Sequence, residues 1–258
     1  MTIKQLSWNA DFLKNNPAFQ NDNYGVPVYA RHINYPIMMV RYWFIYHFLR
    51  EESVRQGAID VCEIGVDVGQ MRSFLNAAVE LGGDKVNLAG WDAVDALIRE
   101  DVLKPLGYKQ FYQVDLESPE FALNDDKQYD VMILLHVLEH LFKPEELVAK
   151  IVPHLKPGGV LIGGFPSTPE RFAQGREDKI RATAGKFGHV SVFSPTRVRE
   201  MAAANGLEVE ILTGAFFMRK KGFFLENYQW WMRFNLWFGA TFPSWPGELY
   251  WVLRKPVK

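Results

Sequence analysis

Between residues 57 and 165, short apolar runs alternate with longer amphipathic stretches, and that alternation constrains the chain more than any other feature. The runs at 59–64, 86–91, 109–114, 129–135 and 160–165 read as strands, and 70–82, 93–104 and 144–155 read as helices. Strand and helix in alternation require crossover connections, hence a mostly parallel, doubly wound α/β sheet. In such sheets ligands sit beyond the carboxyl ends of the strands, so the chemistry is expected just after each run.

The flanks differ from this core. Residues 1–35 are rich in Asn, Pro and aromatics without periodicity and read as an irregular arm; from Pro36 to about residue 55 an unbroken apolar stretch predicts a helix buried between two surfaces. Together 1–57 make an N-terminal arm and cap helix, and 58–258 one ligand-binding domain. A helix at 195–205 and strands at 207–213 and 248–254 complete it. Between these last two strands, 214–247 forms an aromatic-rich insertion. Fourteen aromatics fall between Phe216 and Trp251, including five of the eight tryptophans.

Charge and cysteine content exclude several classes. With 29 Lys plus Arg against 30 Asp plus Glu, no excess charge draws the chain onto nucleic acid. A single cysteine, Cys62, rules out an intrachain disulfide and paired-Cys metal spacing. No stretch has the ~18 apolar residues of a spanning helix and the N-terminus lacks a secretory pattern, so a soluble, cytoplasmic protein is expected.

The first run turns through EIGVDVG at 63–69. Glycines there let backbone lie against a ligand at a helix N-terminus, but Gly65 and Gly69 stand four apart, unlike the G-x-G-x-x-G of a dinucleotide site. Glu63 would repel a pyrophosphate and could accept from a cationic or hydroxyl-bearing ligand; S-adenosylmethionine (SAM) has an ammonium group and no phosphate. Asp92, at the expected tip of the second strand, can accept both ribose hydroxyls of any adenosine ligand. Asp115 can accept from an adenine amino group while the Leu116 N–H donates to the ring. Each acid could instead cap a turn.

These residues, with HVLEHL at 136–141 and LKPGG at 155–159, resemble the ordered motifs of class I SAM-dependent methyltransferases over about 58–213. The resemblance implies a Rossmann-like seven-stranded sheet with its last strand antiparallel, and SAM, leaving as S-adenosylhomocysteine, as cofactor with no metal. It implies Glu63, Gly65 and Gly69 around the methionine part, Asp92 at the ribose, Asp115 and Leu116 at adenine, and His136 after the fourth strand. Asp67 departs from the small residue usual at the middle of the turn, bringing a charge near the methionine moiety. HVLEH also spells the inverted zinc-protease pattern, but that pattern needs both histidines on one helix face and a third ligand, whereas His136 follows directly on a strand.

On the acceptor side, a stretch similar to GHVSVFSP at 188–195 often adjoins the acceptor pocket in the resembling family. His189 and His136 are therefore candidate general bases, and an oxygen acceptor needs one. Arg41, His189 and Trp231 are candidate acceptor contacts. The end of the chain is similar to methyltransferases found with bacterial surface-polysaccharide enzymes, which points to a small-molecule, sugar or lipid-linked glycan acceptor. The stretch 216–245 is a candidate lid, peripheral membrane or lipid-carrier contact, or homodimer interface. Two alternatives share the fold: an NAD(P)-binding dehydrogenase and a non-catalytic SAM-fold binding protein.

Overall fold

A computed structural model describes residues 36–80, 83–123, 126–185, 188–220 and 223–257. The arm expected over 1–35 lies outside the described residues. The chain runs α1 (Pro36–Gln56), β1 (Ile59–Ile64), α2 (Gln70–Glu80), β2 (Leu88–Asp95), α3 (Glu100–Leu106), β3 (Phe111–Gln113) and β4 (Tyr129–Leu135). It continues with α4 (Pro144–Ile151), β5 (Leu155–Pro166), α5 (Glu170–Thr183), α6 (Pro195–Ala204), β6 (Glu208–Gly214), α7 (Gln229–Thr241) and β7 (Glu248–Arg254).

The strands form one seven-stranded sheet in the order β3-β2-β1-β4-β5-β7-β6. β1 to β5 pair in parallel, and β7 enters antiparallel between β5 and β6. The strand order reverses between β1 and β4, which puts the ligand crevice at their carboxyl ends.

Because strand side chains alternate, the sheet feeds two cores. Val131 and Ile133 of β4 face α1, α2 and α7, whereas Met132 and Leu134 face α4 and α6. α1 is buried nearly all round from Val40 to Leu49, as its apolar circumference requires. Its Phe44 stacks on Tyr250 of β7 at 5.3 Å.

Two expectations shift. The strand expected over 86–91 runs on to Asp95, and the helix expected over 93–104 begins only at Glu100, because Ala93 and Val94 pair with β3 rather than open a helix. α5 has no apolar stripe to read: none of its residues is buried, and it is held by Arg176 on the Thr168 hydroxyl, Arg181 on Val190 O and Glu177 on Val192 N.

Candidate active site

The glycine turn after β1 is closed by backbone. Gly65 N–H donates to Val94 O at 2.8 Å and Gly69 N–H to Val66 O at 2.8 Å. Both glycines have positive φ, +74° and +75°, and a Cβ on Gly65 would lie 2.3 Å from Val137 Cγ2. So the turn lies directly against the segment that leaves β4. Asp67 also has positive φ, +48°, a conformation Asp tolerates better than most residues. The departure at position 67 is thus accommodated by the backbone.

Asp95 is the acid at the tip of β2, and it was not among the expected site residues. Its half-buried carboxylate accepts from Asp67 N–H at 3.0 Å and Leu97 N–H at 3.4 Å. Asp92 sits three residues earlier, fully buried within the strand. Its Oδ2 accepts from Lys127 Nζ at 2.6 Å and the Tyr129 hydroxyl at 2.9 Å, on the α4 side of the sheet. The ribose expectation for Asp92 therefore fails on position. The signal for Asp95 was present: WDAVD continues the strand pattern past Asp92.

Glu63 is buried, with Trp91 Nε1 at 3.0 Å and the Tyr108 hydroxyl at 2.6 Å both on its Oε2. Burial pushes its pKa up to about 7, opposed by those two hydrogen bonds. The carboxylate braces β1, β2 and the segment after α3 from beneath the turn rather than reaching across it. Desolvation and the neighbouring Asp95 raise the Asp67 pKa. Asp115 and Leu116 follow β3, with Asp115 exposed and accepting from Glu117 N–H at 3.0 Å, and Leu116 half-buried.

Two carboxylates, Asp67 and Asp95, beside a glycine turn oppose a pyrophosphate and favour a cation. Such a cradle, with acids or amides after β2 and β3, suits an adenosine-bearing ammonium and sulfonium. SAM fits the residues present: Gly65 and Gly69 leave no room for side chains of their own, and Asp95 stands where strand β2 ends.

His136 follows β4 with φ +57°, strained for a non-glycine residue, and its N–H donates to Gly164 O at 2.8 Å. Its Nδ1 lies 2.8 Å from Glu139 Oε1, and its Nε2 3.5 Å from Glu248 Oε1. Glu248 opens β7 and is itself held by Arg41 at 2.6 Å, Arg219 at 2.8 Å and the Tyr250 hydroxyl. Burial and Arg41 pull the His136 pKa down, but Glu248 and Glu139 outweigh them and the net shift is upward. Burial would raise Glu248, yet Arg41, His136 and Arg219 hold it well below the usual carboxylate range. Glu248, Arg219 and Tyr250 escaped the sequence reading because Arg41 and Glu248 meet across 207 residues.

The remaining expected residues divide. Arg41 is buried on Glu248, which takes the place of an acceptor carboxylate there. His189 is exposed, its ring centroid 4.8 Å from that of His140, and its pKa is lowered, chiefly by partial desolvation. Trp231 is 9% exposed and packs on Phe217, Phe223 and Phe234, so it serves the core rather than a ligand. His136 and His140 do not pair as the protease pattern requires. Instead Glu139, His140 and His189 bring one ligand atom each within 4.8 Å of one another, the arrangement among the described residues that could hold a cation.

A family model described as a methyltransferase domain matches residues 41–212, two-thirds of the chain. A ubiquinone biosynthesis O-methyltransferase of Rickettsia bellii is 26% identical over 172 residues, spanning 63% of this chain and 69% of that protein. Among solved structures, the N-methyltransferase NodS of Bradyrhizobium japonicum with bound S-adenosyl-L-homocysteine superposes with TM-score 0.50 at 14% identity, covering 83% of this chain and 86% of NodS. The [4+2]-cyclase SpnF superposes with TM-score 0.51 at 15% identity, covering 83% and 81%. At such identities the likeness speaks for the fold, and the chemistry has to be argued from side chains.

Proposed function

The chain belongs to the methyltransferase domain family and is a SAM-dependent methyltransferase, and from that premise we propose that it methylates an oxygen of a small-molecule acceptor held beside His136. The observation that carries this reading is His136 itself. A strained histidine, backed by Glu139 at 2.8 Å, stands one residue from Val137, whose side chain touches the Gly65 turn. Strain of this kind costs about 1–3 kcal/mol and persists where the surroundings impose it.

Bound SAM supplies a methyl group already activated by its sulfonium. The turn at Gly65 and Gly69 and the acid Asp95 would hold its methionine and ribose parts, and Asp115 with the Leu116 N–H its adenine. What remains for the chain is alignment and removal of a proton. Glu139, 2.8 Å from His136 Nδ1, and Glu248, 3.5 Å from its Nε2, hold the imidazole from both sides, and we assign this imidazole the acceptor hydroxyl's proton. His189, exposed at the rim with a lowered pKa, is a second group able to line the acceptor entry. A sugar or lipid-linked glycan is the finer acceptor class we favour, since the aromatic side chains of 214–247 flank the same carboxyl end of the sheet.

The test pairs labelled SAM with hydroxyl-bearing metabolites and glycans, read by mass spectrometry, for the wild type and His136→Asn. Transfer to oxygen that falls about 10²- to 10⁴-fold in the variant, at unchanged S-adenosylhomocysteine affinity, is expected. Because the base must be neutral, turnover should climb with pH through a midpoint above the ordinary histidine value. Methylation confined to amines, or a variant as active as the wild type, would overturn the assignment.

A further inference from the structure

The insertion between β6 and β7 has two unlike sides. Its inward side belongs to the core: Trp231, Met232 and Leu236 of α7 are buried, and the Asn235 carboxamide oxygen accepts from Phe217 and Met218 N–H, both at 3.1 Å. The outward side is aromatic and exposed. Trp230, Arg233 and Trp237 follow one another along α7 at helical spacing, with the two indoles 58% and 50% exposed. Phe224 precedes this stripe, and Phe242 and Trp245 follow it at 64%, 51% and 45% exposure. Half of the large apolar side chains exposed among the described residues fall within this one stretch.

Its charge is as uneven as its apolarity. Over 215–247 the sequence holds four basic residues, Arg219, Lys220, Lys221 and Arg233, against the single acid Glu226, whereas the whole chain carries net −1; Arg219 is taken up by Glu248 at 2.8 Å, which leaves Lys220 and Arg233 to the outer face. A core-anchored helix that presents indoles interleaved with arginine, and almost no carboxylate, matches the interfacial layer of a bilayer with anionic headgroups. A second copy of the chain is a poorer fit: two-fold pairing would set this basic surface against itself.

We infer that the outer face of α7 with its flanking aromatics is a docking surface for an anionic lipid bilayer. Tryptophan and phenylalanine rings enter the headgroup boundary while Arg233 and Lys220 meet lipid phosphates. No spanning helix is involved, since none among the described residues is long and apolar enough to cross a membrane. The insertion leaves β6 and rejoins at Glu248, so docking sets the acceptor end of the sheet next to the lipid surface.

The experiment floats the full chain with phosphatidylcholine vesicles, with and without about one-third phosphatidylglycerol, at low and at high salt. It needs no acceptor and no turnover, so it stands or falls separately from the methyl-transfer reading. The wild type should float with anionic vesicles, its tryptophan emission shifting to the blue, and high salt should weaken the binding. Arg233→Glu exchanges one positive charge for a negative one, for which a loss of ~30-fold in partitioning is expected. The pair Trp230→Ser and Trp237→Ser should lose flotation with the anionic vesicles. Both indoles are exposed, and unchanged far-ultraviolet circular dichroism and S-adenosylhomocysteine affinity would verify the fold of each variant. Three results would refute the inference: no flotation of the wild type at low salt, flotation insensitive to these substitutions, or a soluble dimer that the tryptophan substitutions dissolve without any lipid binding.

Discussion

Two aspartates three residues apart should fail in opposite ways. Asp92→Ala removes a fully buried carboxylate from Lys127 and the Tyr129 hydroxyl, deep in β2. Breaking a buried pair costs about 3–5 kcal/mol, and since the Lys127 side chain keeps 28% exposure, water recovers part of it. A loss of ~3 kcal/mol, at roughly 2–4 °C per kcal/mol for a chain near this length, lowers Tm by about 6–12 °C. Cofactor affinity should hold, because the site loses nothing. Asp95→Ala leaves the core intact but takes away the acceptor for Asp67 N–H and, on the proposed placement of the cofactor, the acceptor for both ribose hydroxyls. Two charge-assisted hydrogen bonds, partly solvated, are worth about a 10- to 100-fold increase in Kd. Differential scanning fluorimetry gives the first quantity and titration calorimetry with S-adenosylhomocysteine the second. If Asp92→Ala lost the cofactor at unchanged Tm while Asp95→Ala bound normally, the placement of the ribose acid would be wrong.

Three further outcomes follow from the site. Gly65→Ala forces a Cβ into Val137 at positive φ, costing about 2–5 kcal/mol and cofactor binding; Val137→Ala in the same chain should recover the steric part, and a double-mutant cycle without coupling would contradict the contact. Glu63 is a carboxylate raised to about 7, so it contributes stability that is complete below about pH 4.5 and lost as pH rises through 7. Glu63→Gln should therefore be the more stable protein at pH 8, by up to about 3 kcal/mol, and equal melting of the two at that pH would count against the burial argument. Glu139→Gln removes one of the carboxylates that hold His136 up, so the rising limb of the pH–rate profile should move to lower pH while kcat falls; an unmoved limb would separate Glu139 from the base.

Where a strand is mostly apolar, its bounds were readable in advance: β1, β4 and β7 appear where the runs 59–64, 129–135 and 248–254 stand. β2 misled because it buries an acid, Asp92, within the strand. Asp92 looked like an end, since a charge inside a strand is rare unless its partner is known, and Lys127 lies 35 residues away. That displaced both the expected strand tip and the start of α3. The helix α5 carries no periodic signal because ion pairs and backbone acceptors replace apolar burial. The positions of the glycine turn, of Asp115 after β3 and of His136 after β4 were legible because each depends on local sequence. The Arg41, Arg219 and Glu248 cluster was not, because only the folded sheet brings those residues together.

β7 reaches the ribosome exit after both of the strands it joins. Until it inserts, β5 and β6 each hold a row of unpaired amides, and His136 waits without the glutamate that β7 brings. Completion of the sheet and delivery of Glu248 to His136 are thus a single event in the life of the polypeptide, and until it happens the open margins of β5 and β6 are exposed to wrong pairing.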